Sequence, residues 1–270
     1  MSFAITSALA SEYNARILLR IDDFDRDRTN PQFIKDIFET FAFLGIEWHA
    51  GPLDVAGYES TFSQIHRTQL YNSALQQLRE AGKIYACTCS RVQVIKADAE
   101  GTYKGTCRHK NIPLDAPGVC WRINTEEAGP LSVNTQKGIV LADFPHNMRD
   151  FIVKRKDGFP AYQLISVVDD TFFGVDLIVR GDDLFPSTLA QLYLAAQLGN
   201  TTLAKAMFYH HHLLVDEEGK KMSKSAGSTS VHYLRQQGCT PQDIFFRIAQ
   251  MAGENVRPAG WQQLCAILQT

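Results

Sequence analysis

A short stretch near residue 220 holds the side chains best suited to a polyphosphate. Lys220, Lys221 and Lys224 lie close together, among glycine, serine and alanine residues. Flexible ammonium groups on a loop that closes over a nucleotide would supply positive charge where a phosphate gains negative charge. The competing interpretation is a solvated basic loop, which is the commoner origin of a lysine run. The pattern predicts one of these two structures.

Cysteines are grouped in a second stretch, where Cys87 and Cys89 are followed by Tyr103 and Cys107. Three thiolates and an oxygen donor can complete the tetrahedral shell of a zinc ion, and such a clip would order a segment with little core. A Cys-x-Cys pair alone is weak evidence, because buried free cysteines are common. We interpret the other cysteines as packed thiols and a run of histidines as strand residues, since strand neighbours point to opposite faces. These residues are Cys120, Cys239, Cys265, His210, His211 and His212.

Strands and helices alternate along the rest of the chain. Apolar runs predict strands at 16–21, 151–154, 176–180 and 208–215. Helical periodicity is found at the start of the chain, after Asn30-Pro31 as far as Gly45, at about 59–81, at 189–196 and after Thr240-Pro241. Short proline-marked segments between 84 and 144 predict an insertion with its own small fold. The alternation predicts an α/β fold, with a mostly parallel sheet and crossover helices.

Composition excludes several classes of protein. The 270 residues carry 27 Lys and Arg against 29 Asp and Glu, a net charge of -2, and 45% are hydrophobic. This balance excludes wholesale disorder and non-specific coating of nucleic acid. No apolar run reaches the roughly 18 residues of a membrane helix, so we expect no membrane partner. The first residues lack the basic start of a signal peptide, and six cysteines are too few for a disulfide scaffold, which favours the cytoplasm.

Three motifs carry a resemblance to a known family. Residues 221–225 (Lys-Met-Ser-Lys-Ser) resemble the signature loop of class I aminoacyl-tRNA synthetases. Residues 19–25 and 162–183 are similar to motifs of the glutamyl and glutaminyl branch, and the resemblance covers most of 1–240. It implies a Rossmann-like parallel sheet with a zinc-bearing insertion and a helical C-terminal tail. The implied organisation is a catalytic domain that begins at residues 1–82 and resumes at residues 149–225, an insertion at 83–148 and a stem-contact tail at 226–270.

The resemblance also implies roles for single residues. A bound glutamate needs an acid for its ammonium, and an arginine with a hydroxyl donor for its side-chain carboxylate. Asp22, Arg180 and Tyr162 would supply these three groups. Taken singly, they could equally be a turn acid, a surface ion pair and a core residue. Catalytic lysines would act on ATP with Mg²⁺, and loop residues would bind the nucleotide. The former are Lys221 and Lys224, and the latter are Met222, Ser223 and Lys224.

The cysteine pattern narrows the resemblance to the short glutamyl-Q tRNA(Asp) synthetases, which load glutamate onto a queuosine base. It implies a structural Zn²⁺ held by Cys87, Cys89, Tyr103 and Cys107. The short tail after residue 225 favours this group over full glutamyl-tRNA synthetases. The implied enzyme is a monomer that uses ATP, L-glutamate and tRNA(Asp). The alternatives are a glutamyl-tRNA synthetase that charges a tRNA 3′ end and an inactive tRNA-binding pseudoenzyme.

The chain also departs from the family pattern. The His-x-Gly-His signature, the strand before it and an N-terminal arginine are absent from the 270 residues. Asp22 stands where glutamyl enzymes usually have Glu, and Ser166 where some relatives have Asn. We expect that the start was assigned to an internal methionine, because a sheet that loses a central strand exposes unpaired backbone groups. In-frame DNA upstream of Met1 should encode the strand and signature; a stop codon immediately before Met1 would contradict this.

Overall fold

The computed structural model describes residues 1–24, 29–213 and 230–268. These residues form two compact units. The first unit combines Met1–Arg67 with His211–Thr270, and the second comprises Thr68–His210. The two segments of the first unit are therefore separated in the chain by the whole of the second.

The helices and strands of the described residues follow one another along both units. The helices are α1 (Ser2–Glu12), α2 (Pro31–Leu44), α3 (Val55–Gly57), α4 (Thr68–Glu80), α5 (Arg91–Ala97), α6 (Tyr162–Phe172), α7 (Phe185–Gln197), α8 (Thr202–Lys205), α9 (Val231–Gln236), α10 (Pro241–Met251) and α11 (Trp261–Leu268). The strands are β1 (Ile84–Cys87), β2 (Cys120–Ile123), β3 (Leu131–Thr135), β4 (Gly138–Ala142), β5 (Ile152–Lys154), β6 (Leu177–Gly181) and β7 (Met207–His211).

Helix boundaries in the first unit agree with the signals in the sequence. The Asn30 side chain accepts a hydrogen bond from the Gln32 N–H at 2.9 Å, and Pro31 fills the first helical position of α2. Gly45 ends that helix with a φ of 63°, a left-handed conformation that glycine adopts without steric strain. Thr240 caps α10 in the same way, through the Asp243 N–H. The predictions of these helix starts and of the Gly45 stop are confirmed.

The predicted strand at 16–21 is wrong for the described residues. Leu18 forms an isolated parallel bridge with Ala50, and no longer ladder is found there in the described part of the chain. The apolar pattern still buries Leu19 and Ile21. A strand also needs a partner of matching length to satisfy its backbone, and the partner segment pairs over one residue.

The predicted single helix at 59–81 is interrupted. It consists of a π-helical turn at Tyr58–Phe62, a 3-10 turn at Gln64–Arg67 and the helix α4. Ser63 breaks the run with an extended ψ of 139°. Its hydroxyl and the following backbone N–H both donate to the Asp23 carboxylate. Hydrogen bonds to the buried Asp23 carboxylate therefore override the local helical propensity of this segment.

The second unit contains two sheets, one antiparallel and one of mixed direction, so the prediction of a mostly parallel sheet is confirmed only in part. In the first, β1, β2 and β5 are neighbours in that order and pair antiparallel. In the second the order is β4, β3, β7, β6, with β3 antiparallel to β4 and parallel to β7. The β3–β4 pair is a hairpin, which a two-residue turn joins only in the antiparallel sense. The predicted strand–helix alternation is confirmed for 149–211, where β6, α7 and β7 succeed one another.

Helices α6 and α7 pack together in the core of the second unit. Helix α6 also packs on α4, where the Tyr71 hydroxyl donates to Asp169 at 2.7 Å within the buried interface. Buried polar partners of this kind fix the relative position of two helices, because an unpaired buried group is costly. No helix among residues 1–24, 29–213 and 230–268 is both long enough and apolar enough to cross a bilayer.

Candidate functional site

A cluster of thiols lies where β1 ends. Cys87 is the last residue of β1, Cys89 follows two residues later, and Cys107 comes from the loop after α5. The three sulfur atoms lie within 4.8 Å of one another, and the Cys89 and Cys107 sulfurs are 3.6 Å apart. Within the described residues this is the one group of potential metal ligands found. The structure therefore brings together three residues that the sequence separates.

Tyr103 joins the same cluster. Its hydroxyl oxygen lies 3.3 Å from the Cys87 sulfur and accepts the Cys107 backbone N–H at 2.8 Å. Zinc–sulfur bonds of about 2.3 Å in a tetrahedron separate the sulfurs by about 3.8 Å, close to the spacing seen here. The donor set and its spacing therefore fit a structural zinc ion.

Protonation differs between the thiols. The pKa of Cys87 is lowered to about 3, chiefly through the hydrogen-bonding influence of the neighbouring Cys120 side chain, although burial opposes the shift. Burial, followed by the Cys107 thiol, raises the pKa of Cys89 to about 11. A thiolate is the form that ligates a metal, and the lowered pKa of Cys87 favours that form.

Cys120 lies directly opposite Cys87 in the β1–β2 ladder. It is buried, as expected of a packed thiol, and its sulfur donates to the Cys87 carbonyl oxygen at 3.4 Å. Cys120 lies near the cluster because β1 pairs with β2. The spacing of cysteines along the chain does not predict this pairing. Cys239 and Cys265 carry free thiols in the first unit.

The buried carboxylate of Asp150 holds together the chain segments that carry the thiol cluster. Asp150 accepts hydrogen bonds from Tyr85 at 2.7 Å and from two nitrogens of Arg108 at 3.0 and 2.6 Å. Thr125 donates to it through both its N–H and its hydroxyl at 2.9 Å. Burial would raise the pKa of Asp150, but these hydrogen bonds outweigh it and the pKa is lowered. Asp150 thereby links the strand that ends at Cys87 to the loop that carries Cys107, a role that no sequence motif predicted.

Two neighbouring carboxylates in the acidic turn of the first unit, those of Asp22 and Asp23, have different surroundings. Asp23 is 3% exposed and accepts hydrogen bonds from Tyr58 at 2.6 Å and from the Gln64 N–H at 2.8 Å. The side chain of Asp22 is 43% exposed, with Arg20 at 2.9 Å and the Gln64 amide at 3.1 Å. Asp23 therefore anchors the turn, and Asp22 is the acid that a ligand can reach.

Arg180 and Tyr162 lie in the second unit. Arg180 is the fourth residue of β6 and is 9% exposed, and its Nη1 donates to the Gln191 side chain at 2.9 Å. Its guanidinium carbon lies 5.6 Å from the centre of the Phe208 ring. Tyr162 is the first residue of α6 and is 46% exposed. A buried arginine near the carboxyl end of a strand is placed as ligand-binding groups are in open α/β sheets.

Two of the three histidines predicted as strand residues belong to the strand, and His212 lies just beyond its end. His210 and His211 are the last two residues of β7, and His210 shares a 2.9 Å hydrogen bond with the Thr188 hydroxyl. Neither belongs to a group of potential metal ligands in the described residues. The predicted nucleotide loop, with Lys221, Met222, Ser223 and Lys224, lies outside the described residues.

Comparison with known proteins gives consistent similarities. The family model of class I tRNA synthetases (E and Q), catalytic domain, matches residues 3–266. A glutamyl-Q tRNA(Asp) synthetase of Symbiobacterium thermophilum is 32% identical, in a match that covers 92% of this chain and 81% of that protein. A glutamyl-Q tRNA(Asp) synthetase of Rhodopirellula baltica is also 32% identical, in a match that covers 93% of this chain and 79% of that protein.

A solved structure shows the same fold. The crystal structure of a glutamate-tRNA synthetase from Elizabethkingia anophelis matches with a TM-score of 0.73 at 19% identity, over 98% of this chain. The chain spans 61% of that structure, less than two thirds of its length.

Proposed function

Because this chain belongs to the class I tRNA synthetases (E and Q), we propose that it activates L-glutamate with ATP and transfers it to the queuosine base of tRNA(Asp). The observation that carries the choice of glutamate is the buried guanidinium of Arg180 near the end of β6. An arginine fork matches a carboxylate in charge and shape, so it suits an amino acid with an acidic side chain. The choice of acceptor rests on the relatives that bear that name and on the Cys-x-Cys, Tyr, Cys grouping.

The first step is formation of an adenylate. An oxygen of the glutamate α-carboxylate attacks the α-phosphorus of ATP, and the bond to the β-phosphate oxygen breaks to release pyrophosphate. No protein nucleophile is needed, so catalysis consists of positioning and charge stabilisation. Lys221 and Lys224, with Mg²⁺, would neutralise the leaving pyrophosphate, and Met222, Ser223 and Lys224 would contact the nucleotide.

Glutamate would be held at its two ends. The exposed carboxylate of Asp22 would take the ammonium group, and its partner Gln64 keeps that carboxylate oriented. Arg180 would pair with the side-chain carboxylate, and the hydroxyl of the exposed Tyr162 would donate to it.

The thiol cluster would hold a structural zinc ion through Cys87, Cys89, Cys107 and the oxygen of Tyr103. Such an ion cross-links chain segments and adds its binding energy to folding. Here the linked segments are the end of β1 and the loop at 103–107. We place the cluster outside the chemical step, as an element that shapes the insertion 83–148.

The second step transfers the glutamyl group. A hydroxyl oxygen of the queuosine ring attacks the activated carbonyl carbon, its proton is released, and AMP leaves. We propose that the protein acts on tRNA(Asp) as a monomer in the cytoplasm, where its six free cysteines stay reduced. The competing acceptor is a tRNA 3′ end, as in a glutamyl-tRNA synthetase.

The test measures glutamate-dependent ATP–pyrophosphate exchange by this chain and by a version extended in frame upstream of Met1. It then measures transfer of labelled glutamate to tRNA(Asp) with and without queuosine, using the version that gives exchange, which we expect to be the extended one. We expect exchange, transfer only to the queuosine-containing tRNA, and a glutamate KM raised by about tenfold or more in Arg180→Ala, since a hydrogen bond to a charged group is lost. Equal transfer to tRNA lacking queuosine would favour the 3′ end. Absence of exchange both by this chain and by a version extended in frame upstream of Met1 would overturn the proposal.

A further inference from the structure

Gln191 lies in the core of the second unit and contacts Arg180. It belongs to α7, its side chain has no exposed surface, and its Oε1 accepts the hydrogen bond from Arg180 Nη1 at 2.9 Å. Neither step of the proposed reaction assigns a role to this glutamine.

The contact fixes the orientation of the arginine fork. Gln191 holds one terminal nitrogen from α7, and the Phe208 ring lies 5.6 Å from the guanidinium carbon on β7. Bidentate recognition of a carboxylate requires that the plane of the guanidinium be set in advance. Two elements of the core, α7 and β7, therefore each contact the guanidinium of Arg180 and constrain its plane.

The side chain of Gln191 is a neutral amide, and this matters for the charge of Arg180. A carboxylate at position 191 would accept the same hydrogen bond but would cancel the positive charge that an acidic ligand needs. The neutral amide orients the fork and leaves that charge in place. It does so at a cost, because Gln191 Nε2 is buried without a hydrogen-bond partner among the described residues.

We propose that Gln191 is the positioning residue that presents Arg180 to the side-chain carboxylate of glutamate and thereby sets discrimination against glutamine. The inference rests on the proposed function, in which Arg180 binds that carboxylate. Gln191 touches neither substrate nor ATP in this role and acts through the arginine.

The experiment compares two substitutions of nearly equal size in the full chain. Gln191→Met removes the acceptor, and Gln191→Glu retains it but adds a negative charge. The readouts are the KM for glutamate, the KM for ATP, kcat, and the inhibition constant for glutamine in ATP–pyrophosphate exchange. Thermal melts record folding. Thr188→Val is the matched control, because it removes another buried hydrogen bond from the same helix, the one shared with His210.

We expect Gln191→Met to raise the glutamate KM by about tenfold, with the ATP KM within about twofold of the wild type, as for loss of one charge-assisted hydrogen bond. Gln191→Glu should fold normally and lower the ratio of the glutamine inhibition constant to the glutamate KM by about tenfold or more, because the arginine charge is cancelled. If Gln191→Met does not fold, that ratio in Gln191→Glu decides alone. Thr188→Val should leave the ratio unchanged.

The outcomes separate this proposal from the proposed function. A glutamate KM unchanged in both Gln191 variants, together with a raised KM in Arg180→Ala, would overturn the role of Gln191 and retain that of Arg180. An equal change in the ATP and glutamate KM values would mark a purely structural residue and would also overturn it. Absence of exchange by the wild type would overturn the function and with it this inference.

Discussion

The thiol cluster and the Arg180 site lie in the same unit but are built in opposite ways. The cluster draws its ligands from a short span, 87–107, and its sulfurs already lie close together. Arg180 is a single cation on a strand, oriented by Gln191 from α7. The cluster thus contains several ligands, which other residues hold in place. Arg180 is a single ligand, and the residue that orients it determines what it can bind.

This difference determines what each site loses when one residue changes. Removing one ligand from the cluster leaves too few donors for a tetrahedral shell, so binding should be lost outright. Removing a support should weaken binding by degrees, because the ligands remain. Three substitutions, ordered from the largest expected effect to the smallest, test this ranking.

Cys107→Ser should abolish zinc binding. We expect about one zinc ion per chain in the wild type, and an affinity lowered by more than about 100-fold in the variant. Release of zinc to a chromogenic chelator measures both values, and the thermal midpoint should fall with loss of the metal. Cys239→Ser is the matched control, since Cys239 is a free cysteine of the first unit. Zinc retained at wild-type affinity by Cys107→Ser would remove this residue from the site.

The sequence predicted the ligands better than their supports. Cys87, Cys89, Tyr103 and Cys107 share a pattern within one short segment, and the structure brings them together. Asp150 belongs to no motif, because its partners come from three segments that only the fold joins. The spacing of residues along a chain can predict a site whose residues lie in one short segment. It does not predict contacts between residues that are far apart in the sequence.

The same limit explains the errors in the fold. Asn30-Pro31 and Gly45 act within one turn of helix, so the bounds of α2 could be predicted. Ser63 breaks a predicted helix because Asp23, forty residues earlier, takes its hydrogen bond. The proposed role of Gln191 likewise depends on its contact with Arg180, which the sequence does not reveal. Long-range contacts of this kind override local propensity and periodicity.

Asp150→Asn should destabilise the second unit by about 3 kcal/mol at neutral pH, because it leaves buried donors without their charged partner. The measurement is urea unfolding. The lowered pKa of Asp150 means that its contribution is present above the ordinary carboxyl pKa and is lost as pH falls through the folded value. The variant should therefore lose less stability than the wild type when the pH is lowered from about 5 to about 2. Its zinc affinity should fall by about tenfold or more.

Asp115→Asn provides the comparison for that variant. Asp115 pairs with Arg79 at the surface, and this pairing lowers its pKa. Because solvent screens exposed pairs, we expect almost no change in stability or in zinc affinity. Equal losses in the two variants would mean that charge pairing in general, and no specific support by Asp150, stabilises the unit.

Tyr162→Phe should have the smallest effect of the three and should separate binding from folding. Tyr162 is exposed and its hydroxyl makes no hydrogen bond within the described residues, so loss of the hydroxyl should leave the unfolding midpoint unchanged. If it donates to the glutamate side chain, the glutamate KM should rise by about three- to tenfold in the exchange assay. Tyr193→Phe should give the reverse, because that hydroxyl donates to the Asn124 carbonyl at 2.8 Å. Its loss should cost about 1 kcal/mol of stability and leave the KM unchanged. An unchanged KM in Tyr162→Phe would leave selection of the side chain to Arg180.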